Sequence, residues 1–259
     1  RKESSAASDV YKRQPSSRTN HMEYMEGMER IDSDIMDKVL TAMKAYDYDK
    51  YTDADVRRAL MHETCDIEDF KALLSPAAKP HLEEMARKAK IETSKHFGNT
   101  VYIFTPLYIA NYCENYCIYC GFNCYNDIKR KKLNQEEIEK EMKIIADSGI
   151  EEILMLTGES RSMSDVKYIG EACKLAAKYF RNVGLEIYPV NSDEYRYLHE
   201  CGADYVTVFQ ETYNSDKYET LHLMGHKRVF PYRFEAQERA IMGLSLIHIS
   251  EPTRRVVIS

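Results

Sequence analysis

Residues 101–122 read VYIFTPLYIANYCENYCIYCGF, and this stretch decides how the rest of the chain is taken. Its first nine residues are β-branched and aromatic, which suits a strand buried on both faces. A loop with cysteines spaced Cys113-x3-Cys117-x2-Cys120 follows directly. Toward the C-terminus, strand and helix patterns then alternate. Asn134 caps a helix whose Ile138, Met142 and Ile145 share one face, and Gly149 ends it. Residues 153–157 form a second apolar strand and 164–180 a helix; 184–190 form a third strand and 192–201 a helix stopped by Gly202. Residues 205–209 give a fourth strand, with a helix expected within 216–224. Four alternations at roughly 30-residue spacing mean parallel βαβ units. They fit a doubly wound sheet or part of a (β/α)8 barrel, and in both the ligands sit at the C-terminal strand ends.

Toward the N-terminus the pattern of residues 31–98 is helical. Ser33 or Asp34 can cap one helix, Thr52 with Asp55 and Asp66 with Asp69 resemble capping boxes, Pro80 suits a helix start, and Gly98 is a stop. Residues 1–20 are polar and Ser-rich without periodicity and are expected to be unfolded. The 259 residues are 44% hydrophobic and 30% charged, unlike a disordered or fibrous chain. A net charge of −6 gives no general reason to expect nucleic acid or an acidic membrane surface. No uncharged apolar run reaches the roughly 18 residues of a membrane span, and the first residues lack the apolar core of a signal peptide. Seven clustered cysteines, an odd number, suggest a reducing, cytoplasmic setting with a metal or redox site.

Three thiolates on one short loop can converge on one metal centre. A four-iron cluster held by Cys113, Cys117 and Cys120 would keep one iron open, the mark of a site that does chemistry. The alternative is a structural zinc site completed by Cys124 or a histidine, although no second cysteine knuckle exists. Tyr119 adds a ring that could pack on a ligand bound to the cluster. Cys173 and Cys201 read as core residues, and Cys65 has no metal-like neighbours. His222 and His226 are four apart, but Gly225 between them argues against a metal pair. The run Lys129-Arg130-Lys131-Lys132 reads as a solvated face.

The cysteine spacing, with an aromatic residue before the third cysteine, resembles the radical S-adenosylmethionine (SAM) family. The runs NYCENYCIYCGF (111–122), LTGESR (156–161) and FQETYNSDKYETLHLMGHKRVFPYR (209–233) narrow this to its tyrosine lyases. That resemblance implies a partial radical SAM (β/α) TIM-type barrel over 99–243, with a helical N-terminal extension over 21–98. It implies a [4Fe–4S] cluster on Cys113, Cys117 and Cys120, with SAM as the second cofactor. Gly158-Glu159 matches the motif that meets SAM's methionine amine: glycine lets the backbone approach, and a carboxylate suits an ammonium. Tyr119, Glu186, Gln210 and Glu211 are further cofactor-binding candidates, with Glu186 suited to ribose hydroxyls or to a paired core position. Arg233 could face SAM's carboxylate or make a surface ion pair.

The implied reaction cleaves the Cα–Cβ bond of L-tyrosine to 2-iminoacetate and p-cresol for the thiazole of thiamine. Reduced flavodoxin or ferredoxin would be the electron donor, and thiazole synthase a possible partner. A sister lyase that matures the [FeFe]-hydrogenase cofactor is the nearest alternative, and LTGESR favours the thiamine branch. From another class, a non-catalytic Fe–S or zinc protein would share the cysteines. Both ends look foreign to the family: residues 4–14 and 245–255 resemble translated sequencing-adaptor DNA. Residues 1–20 and 244–259 are therefore expected to be non-native, and substrate-binding residues to lie in a second half-barrel that the chain lacks.

Overall fold

The computed structural model describes residues 19–244. The chain divides into two units: residues 34–102, and residues 19–33 together with 103–244.

The first unit is helical: α1 (Ile35–Ala45), α2 (Asp53–Met61), α3 (Ile67–Leu73) and α4 (Leu82–Phe97). The two expected capping boxes start α2 and α3. The Thr52 amide and hydroxyl both donate to Asp55 Oδ2, at 2.9 and 2.7 Å, and Asp69 N donates to Asp66 Oδ1 at 2.8 Å. Pro80 lies inside the short 3-10 turn Pro76–His81 that leads into α4, rather than opening the α-helix. A small core gathers on Val56, Ala72 and Ala78. Gly98, at φ 58°, closes α4 as expected.

The second unit is α/β. Its strands are β1 (Thr105–Ala110), β2 (Tyr116–Cys117), β3 (Glu152–Thr157), β4 (Asn182–Glu186), β5 (Tyr205–Thr207) and β6 (His222–Met224). Its helices are α5 (Gln135–Asp147), α6 (Val166–Ala176), α7 (Ser192–Glu200), α8 (Ser215–Leu221), α9 (Phe230–Phe234) and α10 (Ala236–Leu244). Four strands form a parallel sheet in the order β1-β3-β4-β5. Winding in one direction is the pattern of a barrel, whereas a doubly wound sheet reverses its order about the first strand. The fold is thus part of a TIM-type barrel with four βα units.

Alternation along the strands separates two faces. Ile153, Met155, Val183, Leu185 and Val206 pack outward with Ile138 and Met142 of α5, Ile169 and Cys173 of α6, and Leu198 of α7. Leu154, Leu156 and Tyr205 form the interior cluster. Gly184 leaves room for the Tyr205 ring, whose hydroxyl donates to Glu152 Oε1 at 2.6 Å. Two residues on from Gly184, Glu186 shares that interior face.

Further expectations change. The first strand starts at Thr105, not Val101; residues 101–104 are exposed, Val101 by 78%. Their β-branched character satisfies propensity alone, because the described ladder partners of β1 begin at Thr105. Residues 21–33, expected in the helical extension, belong instead with the α/β unit. Phe230 N donates to His21 O at 2.8 Å, Arg228 Nε to Thr19 O at 2.7 Å, and Ser192 N to Glu29 Oε2 at 2.6 Å. Most residues of the proposed non-native ends lie outside the described residues.

Candidate cluster and cofactor site

The cysteine loop leaves β1 and is tied down at three places. Its second cysteine lies in β2, which pairs antiparallel with β6, and Ile118 N donates to Leu221 O at 3.0 Å. Its two ends are drawn together by Arg130, whose Nη1 donates to Asn111 O (2.7 Å) and Phe122 O (3.0 Å) and whose Nη2 donates to Asn123 O (2.8 Å). Arg130 therefore departs from the reading of 129–132 as a solvated face: three carbonyls match the fork of one guanidinium, which an ammonium cannot reproduce. The third tie is to the end of β3, where Gly158 N donates to Ala110 O (3.0 Å) and Glu114 N to Glu159 O (2.9 Å). A Cβ on Gly158 would lie 2.8 Å from the Tyr112 carbonyl carbon and nearer still to its oxygen. Only glycine permits this approach.

The three cysteines differ in surroundings. Cys117 is buried, and burial pushes its thiol up to about 12, with the charges of Cys113 and Cys120 adding to the effect and Lys227 opposing it. Cys113 Sγ accepts from Asn115 Nδ2 at 3.7 Å, and Cys120 Sγ from Phe122 N at 3.4 Å. Among the described residues, no three His, Cys, Asp or Glu side chains close on one point tightly enough to grip a metal ion. The donor chemistry nevertheless fits an iron–sulfur cluster: three free thiols on one tethered loop. Cys124 lies near Cys113; burial, and then the charge of Cys113, raises its thiol, and its amide donates to Asn115 O at 2.9 Å. Cys173 and Cys201 are buried in the outer core.

Around this loop the strand ends gather charge. Glu159 accepts from Asn115 Nδ2 at 2.8 Å and lies 3.7 Å from Arg233 Nη1. Arg233 is buried, not a surface ion pair; its Nε donates to Phe209 O at 2.6 Å, and its Nη1 has no hydrogen-bond partner. Burial opposes its charge, but Tyr218, Glu159 and Glu211 more than restore it. Glu186 is half-buried, and burial raises its carboxyl against the pull of Arg233 and Lys227. Gln210 is 7% exposed with neither amide atom partnered, an arrangement that calls for a ligand. Glu211 holds a left-handed backbone, φ 67°, and accepts from Lys227 Nζ at 2.7 Å. Burial would raise the Glu211 carboxyl, but the Lys227 hydrogen bond and charge outweigh it and hold it low. Tyr119 stands half-exposed, its hydroxyl 2.8 Å from His222 Nε2. His222 is buried, which lowers its pKa to about 4, so the imidazole is neutral at pH 7.

The site thus joins Cys113, Asn115, Glu159 and Arg233 in one hydrogen-bonded and charged run, and Tyr119, Glu211, Lys227 and His222 in another. Asn115 and Lys227 did not stand out from the sequence. A polar residue between two cysteines and a lysine inside the 209–233 run were the only signals. A cavity of 110 Å³ beside Glu159 is lined by Glu26, Arg161, His226 and Tyr232 among others.

Comparison with known proteins agrees with this picture. The chain matches the Radical SAM superfamily over residues 107–245. It is 40% identical to 2-iminoacetate synthase of Escherichia coli (strain K12) over 188 residues, 73% of this chain and 50% of that protein. It is 32% identical to 3-methylornithine synthase of Methanosarcina acetivorans over 163 residues, 60% of this chain and 45% of that protein. A crystal structure of HydG, a maturase of the [FeFe]-hydrogenase, superposes with a TM-score of 0.74 at 28% identity, covering 84% of this chain and 50% of that one. The chain spans about half the length of the curated relatives it matches. Radical SAM proteins work with a [4Fe–4S] cluster and SAM, and the thiol loop, the Gly158 cradle and the orphaned Gln210 amide suit that pair. With the family matched over more than half its length, this chain belongs to the radical SAM superfamily.

Proposed function

We propose that this chain carries the cluster and SAM half of a tyrosine lyase that forms 2-iminoacetate and p-cresol for thiamine thiazole synthesis. The carrying observation is the junction at the C-terminal strand ends, where Asn115 joins Cys113 to Glu159 across the β1 and β3 loops. Cys113, Cys117 and Cys120 are the cluster ligands in this reading. When bound, the cluster would supply the one-electron reduction of SAM that begins radical chemistry. Glu159 receives the methionine ammonium, Gly158 lets it stand close, and Arg233 offers a guanidinium to the carboxylate. Glu186, on the interior face of β4, is available to ribose hydroxyls. The buried Gln210 amide supplies a donor and an acceptor, Glu211 a carboxylate fixed by Lys227, and Tyr119 a ring beside the cluster loop.

Tyrosine as substrate rests on the 40% identity to 2-iminoacetate synthase, against 32% for the methylornithine synthase, and the thiamine branch over its sister lyase rests on 40% against 28% for HydG. Reduced flavodoxin or ferredoxin is the donor that this chemistry calls for, with thiazole synthase downstream and the cytoplasm as the setting. Among the described residues no helix is long and apolar enough to cross a membrane. Anaerobic reconstitution tests the reading. It predicts about four irons per chain, an EPR signal that changes when SAM is added, and p-cresol from tyrosine in a version extended to the relatives' length. A reconstituted cluster indifferent to SAM would overturn the whole reading, whereas SAM cleavage without p-cresol would overturn only the substrate.

A further inference from the structure

Asn115 is 2% exposed, and its side-chain nitrogen, side-chain oxygen and backbone carbonyl are all engaged. Its amide nitrogen donates one hydrogen to Glu159 Oε2 (2.8 Å) and the other toward Cys113 Sγ (3.7 Å). Its Oδ1 accepts from Lys227 N (3.0 Å), and its backbone carbonyl accepts from Cys124 N (2.9 Å). The surrounding chain is shaped to it: Gly225 sits at φ 92°, where a Cβ would lie 2.8 Å from Asn115 Cα and 3.0 Å from Cγ. One short side chain therefore bonds a cysteine sulfur, the carboxylate after β3 and the backbone after β6.

We infer that Asn115 is a positioning residue with two linked tasks: tuning the Cys113 sulfur and aiming the Glu159 carboxylate. The first task follows from its N–H. A hydrogen bond to a cluster thiolate withdraws negative charge from the sulfur and makes the cluster easier to reduce. The second follows from the shared nitrogen: Glu159 keeps one oxygen on Asn115 and offers the other to a ligand ammonium. Because both bonds leave one planar amide, a movement of the sulfur on cluster binding is carried to the carboxylate. This inference rests on the reading of Cys113 as a cluster ligand and Glu159 as the ammonium partner.

The test is a potentiometric EPR titration of the anaerobically reconstituted chain, with a parallel SAM titration. N115D preserves shape and the Lys227 acceptor but removes both donors and sets a carboxylate beside Glu159 and Cys113. It should retain iron, show a more negative midpoint potential, and bind SAM at least about tenfold more weakly. N115A should shift the potential in the same direction by less. Wild-type potential and SAM affinity in N115D would overturn the inference. Should N115D lose its iron, N115D/E159Q decides, because exchanging amide and carboxylate keeps the bond between the positions while Cys113 still lacks a donor. A more negative potential in that double variant supports the inference, and a wild-type potential or a second loss of iron overturns it. Failure of the cluster reading is separate, since it would show in the wild-type protein as no iron uptake or no response to SAM.

Discussion

Replacing Gly158 by alanine adds one methyl group at the point where the β3 end meets the cysteine loop. The backbone angle there is not left-handed, so alanine meets no conformational penalty of its own, and the effect is purely steric. The new Cβ would stand 2.8 Å from the Tyr112 carbonyl carbon, against an ordinary contact of at least 3.4 Å. The two backbones must part by at least about 0.6 Å, and both are tied by hydrogen bonds at Ala110 and Glu114. Because the obstacle is backbone and cannot rotate away, the cost is about 1–3 kcal/mol, a drop in melting temperature of about 4–8 °C for the middle of that range. The loop shift also moves Glu159 off the geometry of its ammonium partner, which weakens SAM binding by about tenfold or more. Near-UV CD melting and an EPR-monitored SAM titration read the two effects. Gly121→Ala is the control, since nothing lies within 4 Å of its Cβ position in the same loop. G158A with the melting temperature and SAM titration of the wild type would refute the reasoning.

Arg130→Ala removes three donors from loop carbonyls and should destabilise the α/β unit by about 1–3 kcal/mol; R130K should recover only part of this in thermal melts, because an ammonium lacks the fork. Gln210→Leu should hold or raise the melting temperature by about 2–4 °C, because it removes two unpartnered buried atoms, while weakening SAM binding in the EPR titration. The helical unit should lose stability in acid through Asp55, whose carboxyl is held at about 2 by the Thr52 hydroxyl and amide and by Arg58, against a model-peptide value of 3.8. A depressed carboxyl contributes fully above 3.8 and progressively less as pH falls toward 2. Melts at pH about 5 and about 2.5 should therefore show a smaller acid-induced drop in D55N than in the wild type.

Much of this architecture is written locally. The apolar run Ile153–Leu156 and the caps at Asn134 and Thr52 produce their elements because period and capping chemistry act over a few residues. The place of Gly158-Glu159 at the end of β3 was legible for the same reason. Residues 101–104 misled because β propensity marks a segment that suits a ladder without supplying the neighbour that completes it. Arg130 was hidden in a basic run whose other members face solvent more freely. Asn115 and Lys227 lie 112 residues apart in sequence, and only folding the β6 segment over the cysteine loop brings them together. Gln210 was legible as a candidate, but its unpartnered amide is a property of burial and not of sequence.

The segment from Thr19 to Ser33 gives the α/β unit an awkward order of assembly. Tyr24 bonds Glu235, Arg228 bonds Thr19, and Ser33 bonds Glu238, closures that span 211, 209 and 205 residues. On a ribosome these residues emerge well before α9 and α10 and wait for them before they have a partner. Loop-closure entropy makes such contacts late to form. Because none of their apolar side chains is buried in the core, they are also the first to open. Slow amide exchange should therefore begin in β3 and β4, with this strap exchanging as a separate, weaker cooperative unit.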